Sequence, residues 1–483
     1  MLRCNRRSGK TEGAECFCCT DGLPPRAGQS GRKGIPAGAG MGDAMFFQKD
    51  IETMKRADLD ALQLERLRRM VDYCYNNVRF YNERLKAAGI TSGDQIKTLS
   101  DIQYIPFTTK DDIRDHYPFD MLARPMKDIV RIHASSGTTG KPTVGAYTQN
   151  DLNNWSDNVA RLCMAAGVTD EDIIQISFGY GLFTGALGLH YGLEKIGATV
   201  IPASSGNSEK QLMMMRDFGV TGLVATPSYA IYLSELVREG EYPLSAYKLR
   251  HGILGSEGCT AEMRVKIEEN FGIRVTDNYG MTELGGPGVS GECEYRCGLH
   301  FAEDAFLPEI IDPETLERKP AGEAGELVVT TLLREGFPVL RYRTKDITRL
   351  HYEPCVCGRT HARMDKVMGR TDDMLIIKGV NVFPSQIESV LVGTKGISEK
   401  IGPHYQLVVR RKNYMDNLEV KVELVDGSLL GSFRELEALQ RAVHDKLKSV
   451  LGLETKVTLA EPKSLERFQG KAKRVLDLRN MED

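Results

Sequence analysis

Residues 135–142 read Ser-Ser-Gly-Thr-Thr-Gly-Lys-Pro, a stretch too polar for a core and well supplied with groups that bind anions. Ser135, Ser136, Thr138 and Thr139 offer hydroxyls. Gly137 and Gly140 let the backbone approach closely and take positive φ, and Lys141 adds a point charge. That chemistry suits a polyphosphate. It is not a Walker A loop, because two residues rather than four separate Gly137 from Gly140-Lys141, and Pro142 stands where a magnesium-binding Ser or Thr would. A plain Ser/Thr/Gly surface turn is the competing reading. A second pattern is Cys355-Val356-Cys357-Gly358-Arg359, two thiols on a tight turn, half of a tetrahedral zinc site. Cys293, Cys297 and His300 sit together in "ECEYRCGLH", so two clusters could close one site; reduced turn cysteines without metal are the alternative. A third is "FGYGLFTGALG", where Tyr180 and Phe183 stand beside Gly181, Gly185 and Ala186. Aromatics flanked by small residues can leave a flat slot for a ring, although core packing explains the same pattern.

The elements that must hold these residues follow from periodicity. "DIVRIHA" and "TVGAYT" flank the 135–142 loop as short strands, which makes it a hairpin tip. Between 159 and 256, helices (158–166, 185–196, 209–218 and one more) alternate with apolar runs "IIQISF", "ATVIPA", "GLVAT" and "LRHGILG". That alternation predicts a parallel α/β sheet, whose ligands bind beyond the carboxyl ends of its strands. Residues 50–85 carry one or two amphipathic helices, and 305–350 alternate as antiparallel strands. From Arg370 the pattern shifts to two short βα units, a strand pair around "HYQLVVRRKN" and "LEVKVELV", a helix over 433–451 and a basic terminal strip. The expected division is a large domain over 45–369 and a small α+β domain over 370–483.

Composition bounds the partners. With 483 residues, 41% hydrophobic and 27% charged, the chain is an ordinary globular one with a formal charge of −3. The first 44 residues hold 7 basic and 4 acidic groups, so the rest is more acidic than the whole, and nothing points to nucleic acid. No apolar run is long enough to span a membrane, no secretory signal is seen, and the 11 scattered cysteines are expected to stay reduced in the cytoplasm. Residues 1–44, rich in Gly and Arg, read as a disordered tail with incidental thiols at Cys16, Cys18 and Cys19.

Six segments in order, "SSGTTGKPTVGAYT", "SFGYGLFTGALGLHYG", "DNYGMTELGGPGVSGEC", "RYRTKDIT", "GRTDDMLIIKGVNVFPSQIE" and "GKAKRVLDLRN", resemble the phenylacetate-CoA ligase branch of the adenylate-forming superfamily. The likeness runs from about Met45, which makes Met45 the expected start and the tail an upstream-start artefact. It implies a two-step ligase: an aryl acid, phenylacetate or a related arylacetate, joins AMP and then passes to coenzyme A. A small mobile C-terminal lid would serve both steps. The resemblance places Asn278, Tyr279, Gly280 and Met281 along the nucleotide, Thr282 on its α-phosphate and Glu283 on Mg²⁺. It puts Asp346 on the ribose hydroxyls, Arg370 at the hinge on ribose or phosphate, and Ser256, Glu257 and Gly258 on the adenine. Ser256 and Gly258 depart from the family's Ala-Glu-Pro. Lys471 would reach the α-phosphate and carboxylate, while Lys378, Gly379, Val380 and Asn381 would meet CoA. Tyr180, Phe183 and Gly185 would hold the acid. The same likeness favours Cys293, His300, Cys355 and Cys357 as the zinc ligands, with Cys297 and His361 as substitutes. The partners implied are the acid, ATP and CoA, and a homodimer is compatible with the sequence. Related adenylyltransferases that stop after attaching AMP to a deazaflavin coenzyme are the alternative reading.

Overall fold

The computed structural model describes residues 46–135, 142–371, 375–377, 380–412, 415–466 and 474–479. The expectations for the 1–44 tail, for Ser136, Gly137, Thr138, Thr139, Gly140 and Lys141, and for Lys378, Gly379 and Lys471 lie outside these residues, as do those for the Val380 and Asn381 side chains.

A nine-stranded sheet organises the large part of the molecule. Five parallel strands run in the order Thr199–Ile201, Ile173–Ile176, Gly222–Ala225, His251–Gly255 and Arg274–Met281. Apolar runs form the first four because such a sheet is covered on both faces, while Arg274–Met281 is of mixed polarity. The connecting helices are punctuated as their sequences require. Thr226 caps Pro227–Glu239 with Pro at the first helical positions, Thr260 caps Ala261–Phe271, and Gly197 and Gly272 close their helices in the left-handed region. The helix predicted over 158–166 begins earlier, as Gln149–Ala165, because Thr148 and Asp151 form a reciprocal capping box ahead of polar first turns.

Four further strands, Gly286–Glu292, Leu299–Phe301, Arg363–Met364 and Leu350–His351, extend the sheet antiparallel. Gly286–Glu292 lies so close to the Gln149–Ala165 helix that a Cβ on Gly286, Gly288 or Gly291 would sit 2.4–2.8 Å from Trp155, Val159 or Leu162. A separate antiparallel sheet holds Phe306–Ile311, Gly325–Thr331, Tyr342–Thr348 and Gly369–Arg370, matching the alternation seen over 305–350. The expected hairpin is present too, with Arg131–Ala134 paired to Val144–Tyr147.

The C-terminal part builds its own core from Leu375 to Val457. Instead of two βα units, its first elements are an antiparallel pair, Leu375–Ile377 and Val380–Val382, followed by one helix, Pro384–Gly393. Two short strands in tandem read the same by periodicity whether a helix or a turn joins them. The long pair Ile401–Lys412 and Met415–Leu424 is flanked by parallel strands Val475–Asp477 and Lys456–Ala460, with helix Phe433–Leu451 packed against it.

Candidate active site

The loops leaving the carboxyl ends of the parallel strands converge where such sheets bind ligands. Gly255 pairs with Asn278, and Asn278 Nδ2 donates to the Leu254 carbonyl (2.7 Å), so Ser256–Glu257–Gly258 and the turn Thr282–Leu284 emerge side by side. Ser256 takes φ +69°, which turns the chain sharply, and Gly258 is exposed. Glu257 accepts from the Ser228 hydroxyl at the start of the Pro227–Glu239 helix.

The hairpin of Arg131–Ala134 and Val144–Tyr147 docks on this edge. Ser135 and Thr143, the residues on either side of the loop, bond each other through Ser135 N to Thr143 O and Thr143 N to Ser135 Oγ (both 2.9 Å). Thr143 Oγ1 then donates to Glu283 Oε1 (3.0 Å), and Tyr147 OH to the Gly285 carbonyl (3.1 Å). Thr143, which pairs with Ser135, therefore sits against Glu283, across 140 residues of sequence. Arg334, buried beneath, donates from Nη1 to the Glu283 carbonyl (2.9 Å).

Asp346 forms the second focus. Its position on Tyr342–Thr348 pairs in register with Arg370, whose Nη1 donates to Asp346 Oδ1 (2.9 Å), while Tyr279 OH donates to Oδ2 (2.6 Å). The carboxylate is buried rather than part of a surface pair with Lys345, whose ammonium instead faces Glu326 (3.8 Å). Burial, reinforced by Asp346, holds the Tyr279 phenol well above its ordinary value, so it stays a donor.

The aromatic loop is tethered to the same hairpin. The Leu182 carbonyl accepts from Ala134 N (3.0 Å) and faces His133 Nδ1 (3.0 Å). Tyr180 OH meets His190 Nδ1 (3.0 Å), whose Nε2 reaches Glu194 (3.0 Å). Phe183 is half-exposed at the start of helix Thr184–Ile196, and Gly185 faces Phe178. Tyr180 is thus anchored by hydrogen bonds while Phe183 stays accessible.

Cys293, His300, Cys355 and Cys357 converge elsewhere on the large sheet. The substitutes do not join them: Cys297 turns to the Tyr295 carbonyl, and both His361 nitrogens face backbone carbonyls, of Phe301 and Ile51. Sequence reasoning missed Thr143, Arg334 and Ser228, ordinary polar residues whose partners are remote in the chain.

The AMP-binding enzyme family pattern matches residues 60–332, and the AMP-binding enzyme C-terminal domain matches 379–479. The phenylacetate-coenzyme A ligase of Thermus thermophilus is 46% identical over 449 residues, spanning 90% of this chain and 100% of that protein. The chain belongs to the phenylacetate-CoA ligase family of AMP-binding enzymes. Solved structures are similar over most of the chain as well. A 2-hydroxyisobutyryl-CoA ligase in the postadenylation state with 2-HIB-AMP superposes with a TM-score of 0.83 at 28% identity, covering 90% of this chain and 93% of that one. The same enzyme with 2-HIB-AMP and CoA in the thioesterification state gives 0.67 at 29% identity, over 91% and 93%. The whole-chain arrangement here is thus more similar to the first of these two structures than to the second.

Proposed function

We propose that this protein is an ATP-dependent ligase that activates an arylacetate, phenylacetate first, as its acyl-adenylate and transfers the acyl group to coenzyme A. A carboxylate oxygen attacks the α-phosphorus and pyrophosphate leaves; the CoA thiol, losing its proton, then attacks the acyl carbon and AMP leaves. Both steps bring anions together, so the protein's task is positioning and charge stabilisation. The observation that carries the reading is the contact of the phosphate-loop hairpin with Glu283 beside the Tyr279–Asp346–Arg370 cluster. Glu283, an oxygen donor next to the triphosphate loop, would hold Mg²⁺, which supplies charge neutralisation to the phosphates. Asp346 would take the ribose hydroxyls and Ser256–Gly258 the adenine, with Thr282 at the α-phosphate. The half-exposed Phe183, with Tyr180 and Gly185, would face the aryl group. Lys471 would close the first step and the 378–381 segment the second, with the domains meeting after Arg370, the last residue of the antiparallel sheet. All these residues lie in one chain, so a homodimer is not required. The cytoplasm supplies ATP and CoA and keeps thiols reduced.

The test is a panel of carboxylic acids assayed for pyrophosphate release with ATP and CoA. Arylacetates should give the highest turnover, with AMP release dependent on CoA. Release of pyrophosphate with no dependence on CoA would favour an adenylyltransferase that stops at AMP transfer. Lys471→Ala should abolish acyl-adenylate formation and leave thioester formation from supplied acyl-adenylate largely intact, and equal loss of both half-reactions would remove Lys471 from its role.

A further inference from the structure

We propose that Cys293, His300, Cys355 and Cys357 bind one zinc ion that clamps the antiparallel end of the large sheet. The four residues come from two loops that the fold brings together. Cys293 follows strand Gly286–Glu292 and His300 lies in the adjacent Leu299–Phe301, while Cys355 and Cys357 occupy the turn between Leu350–His351 and Arg363–Met364. One ligand atom from each lies within 4.8 Å of all the others.

The spacings fit a metal rather than a thiol cluster. Cys293 Sγ and Cys355 Sγ are 3.9 Å apart, and Cys357 Sγ and His300 Nε2 are 3.5 Å apart. A tetrahedral zinc site, with Zn–S near ~2.3 Å and Zn–N near ~2.0 Å, has S–S edges of roughly 3.8 Å and S–N edges of roughly 3.5 Å. A disulfide would need its sulfurs at about 2.05 Å. The three cysteines are buried, and the turn that carries two of them is closed by hydrogen bonds from Cys355 N to Arg359 O and Gly358 N to Cys355 O. Three sulfur donors and one imidazole with no acidic oxygen form a closed set of the structural kind.

Its place argues for a scaffold role. Strand Gly286–Glu292 starts beside the Glu283 turn and ends at Cys293, and seven residues at ~3.3 Å each separate the two by roughly 20 Å. Beyond Cys357, Arg359 Nε donates to Glu52 Oε2 (2.7 Å), Thr360 N to the Glu52 carbonyl (3.1 Å), and the Arg359 guanidinium lies over Phe46. The metal would therefore fix both the edge strands and, through this arm, the first described helix, Lys49–Glu52.

The test is metal analysis by inductively coupled plasma mass spectrometry of protein purified without chelators or added metal. About one zinc per chain is expected, and cobalt exchanged into the site should give the absorption bands of tetrahedral thiolate coordination. Cys357→Ser should lose the metal, whereas Cys297→Ser should keep it and serves as the control if the first variant folds poorly. Chelation of the wild-type protein should lower its melting temperature. Wild-type protein that contains no zinc and takes up neither zinc nor cobalt overturns the proposal. Loss of metal from Cys297→Ser with retention in Cys357→Ser overturns the ligand set.

Discussion

Arg334 is a guanidinium buried under the Glu283 turn with one hydrogen bond to show for it, from Nη1 to the Glu283 carbonyl. Its Nε and Nη2 have no hydrogen-bond partner, no carboxylate pairs with it among the described residues, and its plane lies over Tyr147 (4.8 Å). A buried cation so poorly satisfied lowers stability, so its presence points to positioning of the Glu283 backbone. Arg334→Met should leave the melting temperature near the wild-type value while cutting the rate of acyl-adenylate formation roughly tenfold, the loss of one charged hydrogen bond. Thioester formation from supplied acyl-adenylate should be spared, and Arg334→Lys should restore part of the first step; pyrophosphate exchange and single-turnover assays measure both. Glu283, Tyr279, Asp346 and Arg370 were singled out in the sequence because each stands in a recognisable segment, and the structure joins the last three through the Asp346 carboxylate. Arg334 and Thr143 were not, since an arginine after a strand and a threonine after a loop are commonplace until folding brings Glu283 to them.

Strand Arg274–Met281 carries the greatest load among the elements, and its neighbours constrain it tightly. A Cβ on Gly280 would lie 2.0 Å from the Gly286 carbonyl oxygen, so only glycine fits where the strand bulges toward its partner. Asp277, earlier in the strand, is buried, and that burial outweighs Lys366 at 3.7 Å to push its carboxyl up to about 7. The folded value exceeds the unfolded one, so this group's contribution to stability is complete below roughly pH 4 and disappears as pH rises through about 7. Asp277→Asn should therefore melt higher than wild type at pH 8, by on the order of a few kcal/mol, and the gap should close toward pH 4. Melting curves across that range check it, and a gap that widens on acidification would refute the burial argument. Four of the parallel strands were readable as apolar runs between helices; Arg274–Met281, of mixed polarity, was not. Nor was Gly286–Glu292, because three of its seven residues are glycines required by the helix against it, and glycine-rich sequence reads as loop.

At the scale of the whole molecule, polar contacts among the described residues link the large and small parts. His404 faces Glu235 (3.5 Å), which Lys266 also holds (2.8 Å), and Lys463 reaches Glu239 (2.9 Å) at an exposed position. Burial opposes the Glu235 charge, yet His404 and Lys266 together keep its carboxyl down to about 2. Exposed pairs such as Lys463–Glu239 contribute about 0–1 kcal/mol, whereas the more sheltered Glu235 link is the stronger one. Glu235→Gln should loosen the observed placement without unfolding either part, seen as faster hydrogen exchange in the Pro384–Gly393 helix, which packs on Ala261–Phe271. No change in exchange there would show that this pair does not set the lid's position. The Leu182 carbonyl has a wider consequence. Because the Leu182 carbonyl ties its segment to the strand that leads toward residue 135, a triphosphate at the turn and an acid at Tyr180–Gly185, as proposed above, would each order a segment that prepares the other. Acid and nucleotide should therefore each tighten the other's binding by the same factor, as linkage requires, and neither half of the pocket would be fully assembled until both guests had arrived.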